Sequence, residues 1–461
     1  MRALNSVKGL AVGAARQVLS MANIEPALVK ALLRKPPSVH GGPRARRWPW
    51  PRRRHFDKRE RRAVIRLMDR EIRRGGALVY DGVEEKAYCE AFARYLGGGY
   101  AKAVNSGTNA IYVALRALDL EPGSEVVVPP ITDPGGTMPV AMMNCIPVPA
   151  DAMPGSLNTS ADQIKVRLTD RTSAIVVAHI AGHPVDMDPI LQLASERGIP
   201  VVEDCAQAHG SLYKGQMVGS LGTIAAFSTM FGKHHSTGAQ GGVVFTRDTL
   251  LFARARQITD RGKPYGALGN PANLVASLNF NQDEISMAIG CVQLEKLPGA
   301  IAARRAFVSI VDAGLQGING VSLIGDPPEC MSSYWFLMLR LDTTTLRCNS
   351  EEFASALLEE GIAGVNTGYP FYPTEQPWHR DAVVFGKSGL PWSALTEQPK
   401  PRCFELPNAH QANRTIVRVD VHESLGEREA RDLVTAVEKI GRYYRASVSM
   451  ATVDANQAVH V

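Results

Sequence analysis

The seven cysteines of this 461-residue chain (Cys89, Cys145, Cys205, Cys291, Cys330, Cys348 and Cys403) form no C-x-x-C and no short even spacing. That argues against a disulfide-stapled scaffold or a zinc knuckle, and it fits a reducing cytoplasm. No run of about eighteen apolar residues is present, so no membrane-spanning helix is expected. The N-terminus lacks the long apolar core and cleavage box of a secretory leader. Its Arg-rich character superficially resembles a transit peptide, but Leu10, Val12, Val18 and Leu19 fit a short surface helix equally well. Acids are scarce in one region only. Residues 1–54 hold 12 of the 51 Lys and Arg and one of the 45 Asp and Glu, so they carry +11 and the rest of the chain −5. The basic balance therefore belongs to an arm over residues 1–45 and its Pro/Arg continuation. That arm reads as a solvated or dimer-wrapping tail, with a nucleic-acid or anionic-membrane partner as the alternative.

What is present is enough apolar material, 45% of residues, for one large domain and a smaller second one. The Pro/Arg cluster Pro43–Arg54 reads as an extended connection. Helices are expected from Asp57, where Val64, Leu67, Met68 and Ile72 recur at three and four, and over Glu84–Tyr95. Short apolar runs then alternate with helical segments such as Asn109–Leu118 and Met187–Arg197. The runs are Ala101–Val104, Glu125–Val128, Ala174–Val177, Pro200–Val202, Ile224–Phe227 and Gly242–Phe245. Strands with almost no polar alternation are buried on both faces, which predicts an α/β domain over residues 46–300 built on a mostly parallel sheet. In such sheets ligands sit beyond the carboxyl ends of the strands. An amphipathic helix is expected over Asp283–Leu297. Beyond it, residues 301–461 read as a small α+β domain, with a strand at Tyr334–Leu341, helices at Ser350–Glu360 and Arg428–Tyr443, and a Pro- and aromatic-rich loop system over 366–405. No internal repeat is visible.

Four segments that follow strands, or run on from them, carry chemistry. Asn105-Ser106-Gly107-Thr108 lies between a strand and a helix, where free N–H groups and hydroxyls suit a phosphate, although Ser and Thr are also ordinary helix caps. Glu203-Asp204-Cys205-Ala206-Gln207-Ala208-His209-Gly210 ends another strand. A carboxylate there can hold a cationic ring nitrogen and the amide of Gln207 a ring oxygen; a cap or metal ligand is the other use, but only His209 lies near enough in sequence to join a metal set. Phe227-Ser228-x4-Lys233 sets a lysine five residues past a serine, between the uncharged Thr229–Gly232 and the Gly-rich Thr237–Gly242. Lysine is usually a surface residue, yet a desolvated one can form an imine with an aldehyde. Leu278-Asn279-Phe280-Asn281 precedes a helix, so Asn279 can cap it or reach a phosphate. An imine-forming lysine, a carboxylate for a pyridinium and a phosphate cradle are what pyridoxal 5'-phosphate asks of a protein. No metal is expected.

The ordered motifs N-S-G-T, H-x-x-G-x-P-x-D-M-D (His179–Asp188), E-D-x-A-Q-A-H-G, G-S-L-G (Gly219–Gly222), F-S-x4-K with G-G, and an Asn before Q-L-E-K-L together resemble the DegT/DnrJ/StrS family of sugar aminotransferases. The resemblance covers roughly residues 42–300. It implies the aspartate aminotransferase fold, with Lys233 as the imine-forming lysine, Asp204 on the pyridine nitrogen and Gln207 near the ring hydroxyl. Ser106, Gly107, Thr108 and Ser228 would hold the phosphate. Asn279 would reach the phosphate of a neighbouring subunit, giving a homodimer with composite active sites. The start Gly41–Pro51 (G-G-x-x-x-R-R-x-P-W-P) resembles members that act on keto-inositols and antibiotic sugars.

The chain also departs from the pattern. Asp133 stands where the family places an aromatic on the cofactor ring, Gln240 replaces the acid before Gly-Gly, and Asn281 replaces an Arg. The expected reaction moves an amino group from L-glutamate or L-glutamine to a nucleotide-linked keto-sugar or keto-cyclitol, with Arg261 and Lys263 as candidate cations for an anionic acceptor. Two alternatives stay open. His234-His235 raises a sugar dehydratase, because some members of the fold carry histidine in place of the lysine. A catalytically silent binding protein is the other.

Overall fold

The computed structural model describes residues 34–265, 272–395 and 399–446. Most of the basic arm, including Leu10 to Leu19, and the last dozen residues lie outside them. Seven strands form the larger sheet: β1 (Tyr100–Val104), β2 (Glu125–Val128), β3 (Ile146–Pro149), β4 (Thr172–Ala178), β5 (Val201–Asp204), β6 (Ile224–Ser228) and β7 (Gly242–Thr246). Their order is β1-β7-β6-β5-β4-β2-β3; only β7 runs against its neighbours. All four residues of β2, β3 and β5 and all five of β6 and β7 are buried. β3 is not apparent as a strand in the sequence because it reads Ile-Pro-Val-Pro. At the sheet edge a proline's missing donor costs no ladder bond.

Helices α1 (Lys58–Arg74), α2 (Val83–Tyr95), α3 (Gly107–Ala117), α4 (Met187–Arg197) and α5 (Thr249–Thr259) surround this sheet. Asp57 caps α1 in a capping box with Glu60. Tyr88 and Phe92 of α2 pack on one face with Val177, Phe227 and Phe245, and Ile111 and Leu115 of α3 on the other with Val126 and Val202.

The helix expected over Asp283–Leu297 runs on as α6 (Glu284–Leu315), 32 residues and about 48 Å long at 1.5 Å per residue. Pro298 lies inside it. Leu297 and Ile301 near its middle are buried in the large core, and Phe307, Val311 and Leu315 toward its end in the small one. A division at residue 300 therefore cuts a continuous helix that serves both cores. The small domain adds an antiparallel sheet of β8 (Val321–Leu323), β9 (Phe336–Leu341), β10 (Val365–Thr367) and β11 (Ile416–Asp420), ordered β8-β9-β11-β10. α7 (Ser350–Glu359) and α8 (Glu427–Ala446) cover it.

A boundary between residues 45 and 46 falls inside a segment that docks as one piece on the small domain. The backbone N–H groups of Ser38 and Ala45 donate to Glu360, and the buried Arg46 binds Glu429 at 3.0 Å and Asp432 at 2.6 Å. Lys439, fully buried, closes on both Glu360 oxygens at 2.8 and 3.0 Å. Part of the basic charge is thus absorbed by acids within the chain. Glu360→Gln removes the charge that Lys439 needs and weakens both strap bonds. Loss of one partner of a buried pair costs about 3–5 kcal/mol, so trypsin cleavage at Arg44–Arg54 is expected to accelerate about tenfold or more while cleavage of the large domain is unchanged.

Candidate active site

Parallel strands β5 and β6 end side by side, and alternation along β5 sends its last two acids to opposite faces. Glu203 points inward as a structural hub. It accepts from the backbone N–H groups of Gly219 (2.7 Å), Leu221 (2.8 Å) and Gly222 (2.6 Å) and from His179 Nε2 (3.2 Å). Burial works to raise its pKa, but these bonds hold it below the ordinary glutamate value. His179 takes the Val185 N–H on its other nitrogen. His179, Glu203 and Cys205 stand close enough to hold an ion, yet the hydrogen bonds already use His179 and both Glu203 oxygens.

Asp204 faces the other way, into a buried pocket. Its Oδ1 accepts from Ala206 N–H at 3.0 Å; among the described residues Oδ2 takes no hydrogen bond. Burial raises its pKa, and the nearby Lys233 charge opposes that. Lys233 is 6% exposed and makes no hydrogen bond or ion pair among the described residues. Its Nζ lies 3.8 Å from the centre of the Trp335 ring. Burial lowers its pKa to about 8, against the pull of Asp204 and Asp133. The loop around it is clamped on both sides. Arg53 donates to the carbonyls of Gly232 (3.3 Å) and His234 (3.1 Å) while paired with Glu423, and Trp335 Nε1 donates to Gly232 (3.1 Å).

Ser106 caps α3 by accepting from Asn109 N–H at 3.1 Å. Gly107 and Ser228 meet so closely that a Cβ on Gly107 would lie 2.5 Å from the Ser228 Cβ. Thr108 reaches the turn Pro134–Gly136, where a Cβ on Gly135 would lie 2.3 Å from its Oγ1; a Cβ on Gly136 would lie 2.9 Å from Asp204 Oδ2. Gly107 thus abuts Ser228, and Thr108 meets the Pro134–Gly136 turn that reaches Asp204. Gln207 is buried, its Oε1 accepting from Ala181 N–H (2.8 Å) and its Nε2 donating to Tyr369 OH (3.3 Å).

Asn279 lies outside this cluster. It is exposed, and its Oδ1 accepts from Asn281 N–H and Nδ2 at 3.1 and 2.9 Å. Arg261 and Lys263 are already matched by Asp260, at 2.8 and 2.7 Å, and both also bind Tyr80 OH. His235 bonds Tyr88 OH at 2.8 Å and His209 at 3.0 Å, away from Asp204. Asp133 caps the Pro134–Gly136 turn by accepting from Gly135 N–H. The aromatic surface beside the lysine comes from Trp335 of the small domain instead. No sequence motif ties Trp335 or Tyr369 to Lys233, because they lie about 100 and 136 positions beyond it; Trp335 falls in the expected strand Tyr334–Leu341 and Tyr369 in the aromatic-rich stretch 366–405.

Pyridoxal phosphate fits this space. A buried amine and a buried carboxylate oxygen, neither hydrogen-bonded among the described residues, suit an aldehyde and a ring N–H, while a helix N-terminus crowded by glycine suits a phosphate. The comparisons agree. A curated relative from Micromonospora echinospora, an L-glutamine:2-deoxy-scyllo-inosose aminotransferase, is 30% identical over 374 residues, which is 78% of this chain and 87% of the relative. A dTDP-3-amino-3,4,6-trideoxy-alpha-D-glucose transaminase from Streptomyces venezuelae is 29% identical over 360 residues, 78% of this chain and 87% of that one. The solved aminotransferase of Psychrobacter cryohalolentis superposes with a TM-score of 0.75 at 28% identity, covering 86% of this chain and all of the other.

Fold and site together define a pyridoxal-phosphate-dependent aminotransferase. The chain belongs to the DegT/DnrJ/EryC1/StrS aminotransferase family, whose model matches residues 60–438. Gly107→Ala drives a methyl into Ser228. Overpacking of about 1–3 kcal/mol at that contact is expected to weaken cofactor retention about tenfold or more in equilibrium dialysis, with the far-ultraviolet circular dichroism unchanged.

Proposed function

We propose that this enzyme moves the amino group of L-glutamine or L-glutamate onto the keto carbon of a cyclitol or nucleotide-linked sugar. The observation that carries this reading is the buried Lys233 amine beside Asp204, which makes no hydrogen bond or ion pair among the described residues. The named acceptors of the Micromonospora and Streptomyces relatives support the acceptor class. In this reading Lys233 holds the cofactor through its aldehyde, Asp204 the ring nitrogen and Gln207 the ring hydroxyl. Ser106, Gly107, Thr108 and Ser228 hold its phosphate. Bound there, the cofactor supplies an electron sink for the pair left when the substrate carbon loses its proton.

The chain's own residues do the rest. The buried Asp204 carboxylate keeps negative charge at the ring nitrogen. Lys233, once freed, is the base that takes the substrate proton and the acid that returns it. With its pKa near 8, a usable fraction of the amine is neutral near pH 7. Arg53 and Trp335 fix the loop so that the amine swings on a rigid hinge. Two such chains form a homodimer in which Asn279 serves the partner's phosphate site. Supporting this, Val79, Leu274 and Leu278 stand 56%, 55% and 66% exposed on the single chain.

Incubation with L-glutamine and 2-deoxy-scyllo-inosose, or with a dTDP-keto-sugar, is expected to yield the aminated product by mass spectrometry. Lys233→Ala should lower that yield by more than about a thousandfold with the fold intact. A deoxygenated product without nitrogen would point to dehydration instead. Uptake of added cofactor by the apo-protein needs the neutral amine. Its rate is therefore expected to rise with pH up to about 8 and then level, whereas an ordinary lysine would keep gaining toward about 10.4. Asp204→Asn removes the charge that holds the proton on Lys233, so the plateau should begin at lower pH.

A further inference from the structure

The loop that leaves β2 brings a second carboxylate to the space around Lys233 and Asp204. Ile131 is buried among Ile180, Phe336 and Tyr369, and Thr132 N–H donates to the Phe371 carbonyl at 3.2 Å. The aromatic-rich stretch of the small domain therefore lies against this loop. Asp133 follows and is exposed. Its Oδ1 is fixed by Gly135 N–H at 2.9 Å, and the turn it caps is pressed between Thr108 and Asp204. Among the described residues Asp133 Oδ2 takes no hydrogen bond, and no Lys, Arg or His closes on it as an ion pair.

An exposed acid needs no protein partner as a rule. This one differs in what its charge reaches. Lys233 feels two acids, Asp204 and then Asp133, and on the Tyr369 hydroxyl Asp133 weighs more than any other charge. Tyr369 OH also takes the Gln207 amide, and the Tyr369 and Phe371 rings stand edge to face with centres 6.0 Å apart. A fixed carboxylate oxygen near aromatic rings is the setting that an ammonium group prefers, since it supplies a charged acceptor and negative ring faces together.

That ammonium cannot be the one that is transferred, because the transferred nitrogen ends bonded to the cofactor carbon that Lys233 otherwise holds. Nor can L-glutamine or L-glutamate supply another: beyond the α-amine each offers only a neutral amide or more carboxylate, which Asp133 repels. The cation has to come with the acceptor. Arg261 and Lys263, closed on Asp260, leave no matching pair of free cations for a polyanionic one.

We infer that Asp133 is an ammonium subsite for the acceptor, so that the preferred acceptor is a polyol ring already bearing one amine besides its ketone. This rests on the aminotransferase reading above and selects among its acceptors. The reaction that supplies this substrate must leave an amine and a ketone on one ring, and the product carries two amines.

The test gives the holoenzyme L-glutamine with either 2-deoxy-scyllo-inosose or its 3-amino derivative. The parent's kcat/KM should favour the amino derivative by about tenfold or more, the usual worth of a hydrogen bond to a charged group. Asp133→Asn keeps an oxygen for the Gly135 N–H and removes only the charge; the preference should fall to within about twofold. Asp133→Glu restores the charge and should recover part of it. Binding provides a second readout. 2-Deoxystreptamine, a diamine without a ketone, should bind the protein reconstituted with pyridoxamine phosphate about tenfold more tightly in the parent than in Asp133→Asn by calorimetry, and added salt should narrow the gap. A parent without preference for the amino derivative, or a preference unchanged in Asp133→Asn, overturns the inference. If the parent aminates neither ketone while 2-deoxystreptamine binding still depends on Asp133, the ammonium subsite stands and the aminotransferase reading fails.

Discussion

The account depends on one arrangement: an amine and a carboxylate desolvated in the same pocket, with the amine and one carboxylate oxygen making no hydrogen bond among the described residues. Burial alone would neutralise both, pulling the Lys233 pKa down and pushing that of Asp204 up; each charge restrains the other. Such a pair is poor structural glue, since an apolar pair would fill the space at less cost. It becomes useful when a third body arrives with an electrophilic carbon for the amine and a cationic ring for the acid.

The surrounding fold serves to keep that pair fixed. Glu203 and Asp204 divide the labour of adjacent positions on one strand: the first ties down His179 and the Gly219–Gly222 loop, which leaves the second free to face the ligand. The lysine loop is held from the small domain's side through Arg53, Glu423 and Arg304, so the strap, helix α6 and sheet β8–β11 all bear on a residue of the large domain. Trp335 and Tyr369 come from the same side, the first against Lys233 and the second against Gln207. The site is an interdomain one, as concave ligand sites often are.

Much of this was legible in the chain. The buried strands announce themselves as unbroken apolar runs, and the strand-end motifs around Ser106, Asp204 and Lys233 converge as their positions foretell. What stayed hidden has physical causes. The Ile-Pro-Val-Pro strand looks like a turn because proline is tolerated only at an edge. Pro298-Gly299 reads as a helix stop, yet packing into two cores carries α6 through it. The basic strap reads as a free tail because its acids, Glu360, Glu423, Glu429 and Asp432, lie more than 300 residues downstream. Arg261 and Lys263 looked like free cations until folding closed them on Asp260.

The central claim is tested most directly by asking which side chain carries the cofactor. Borohydride reduction of the holoenzyme followed by peptide mapping should find the pyridoxyl group on the peptide containing Lys233, and on no other. A cofactor that washes away unreduced, or a label on a different lysine, would contradict the account.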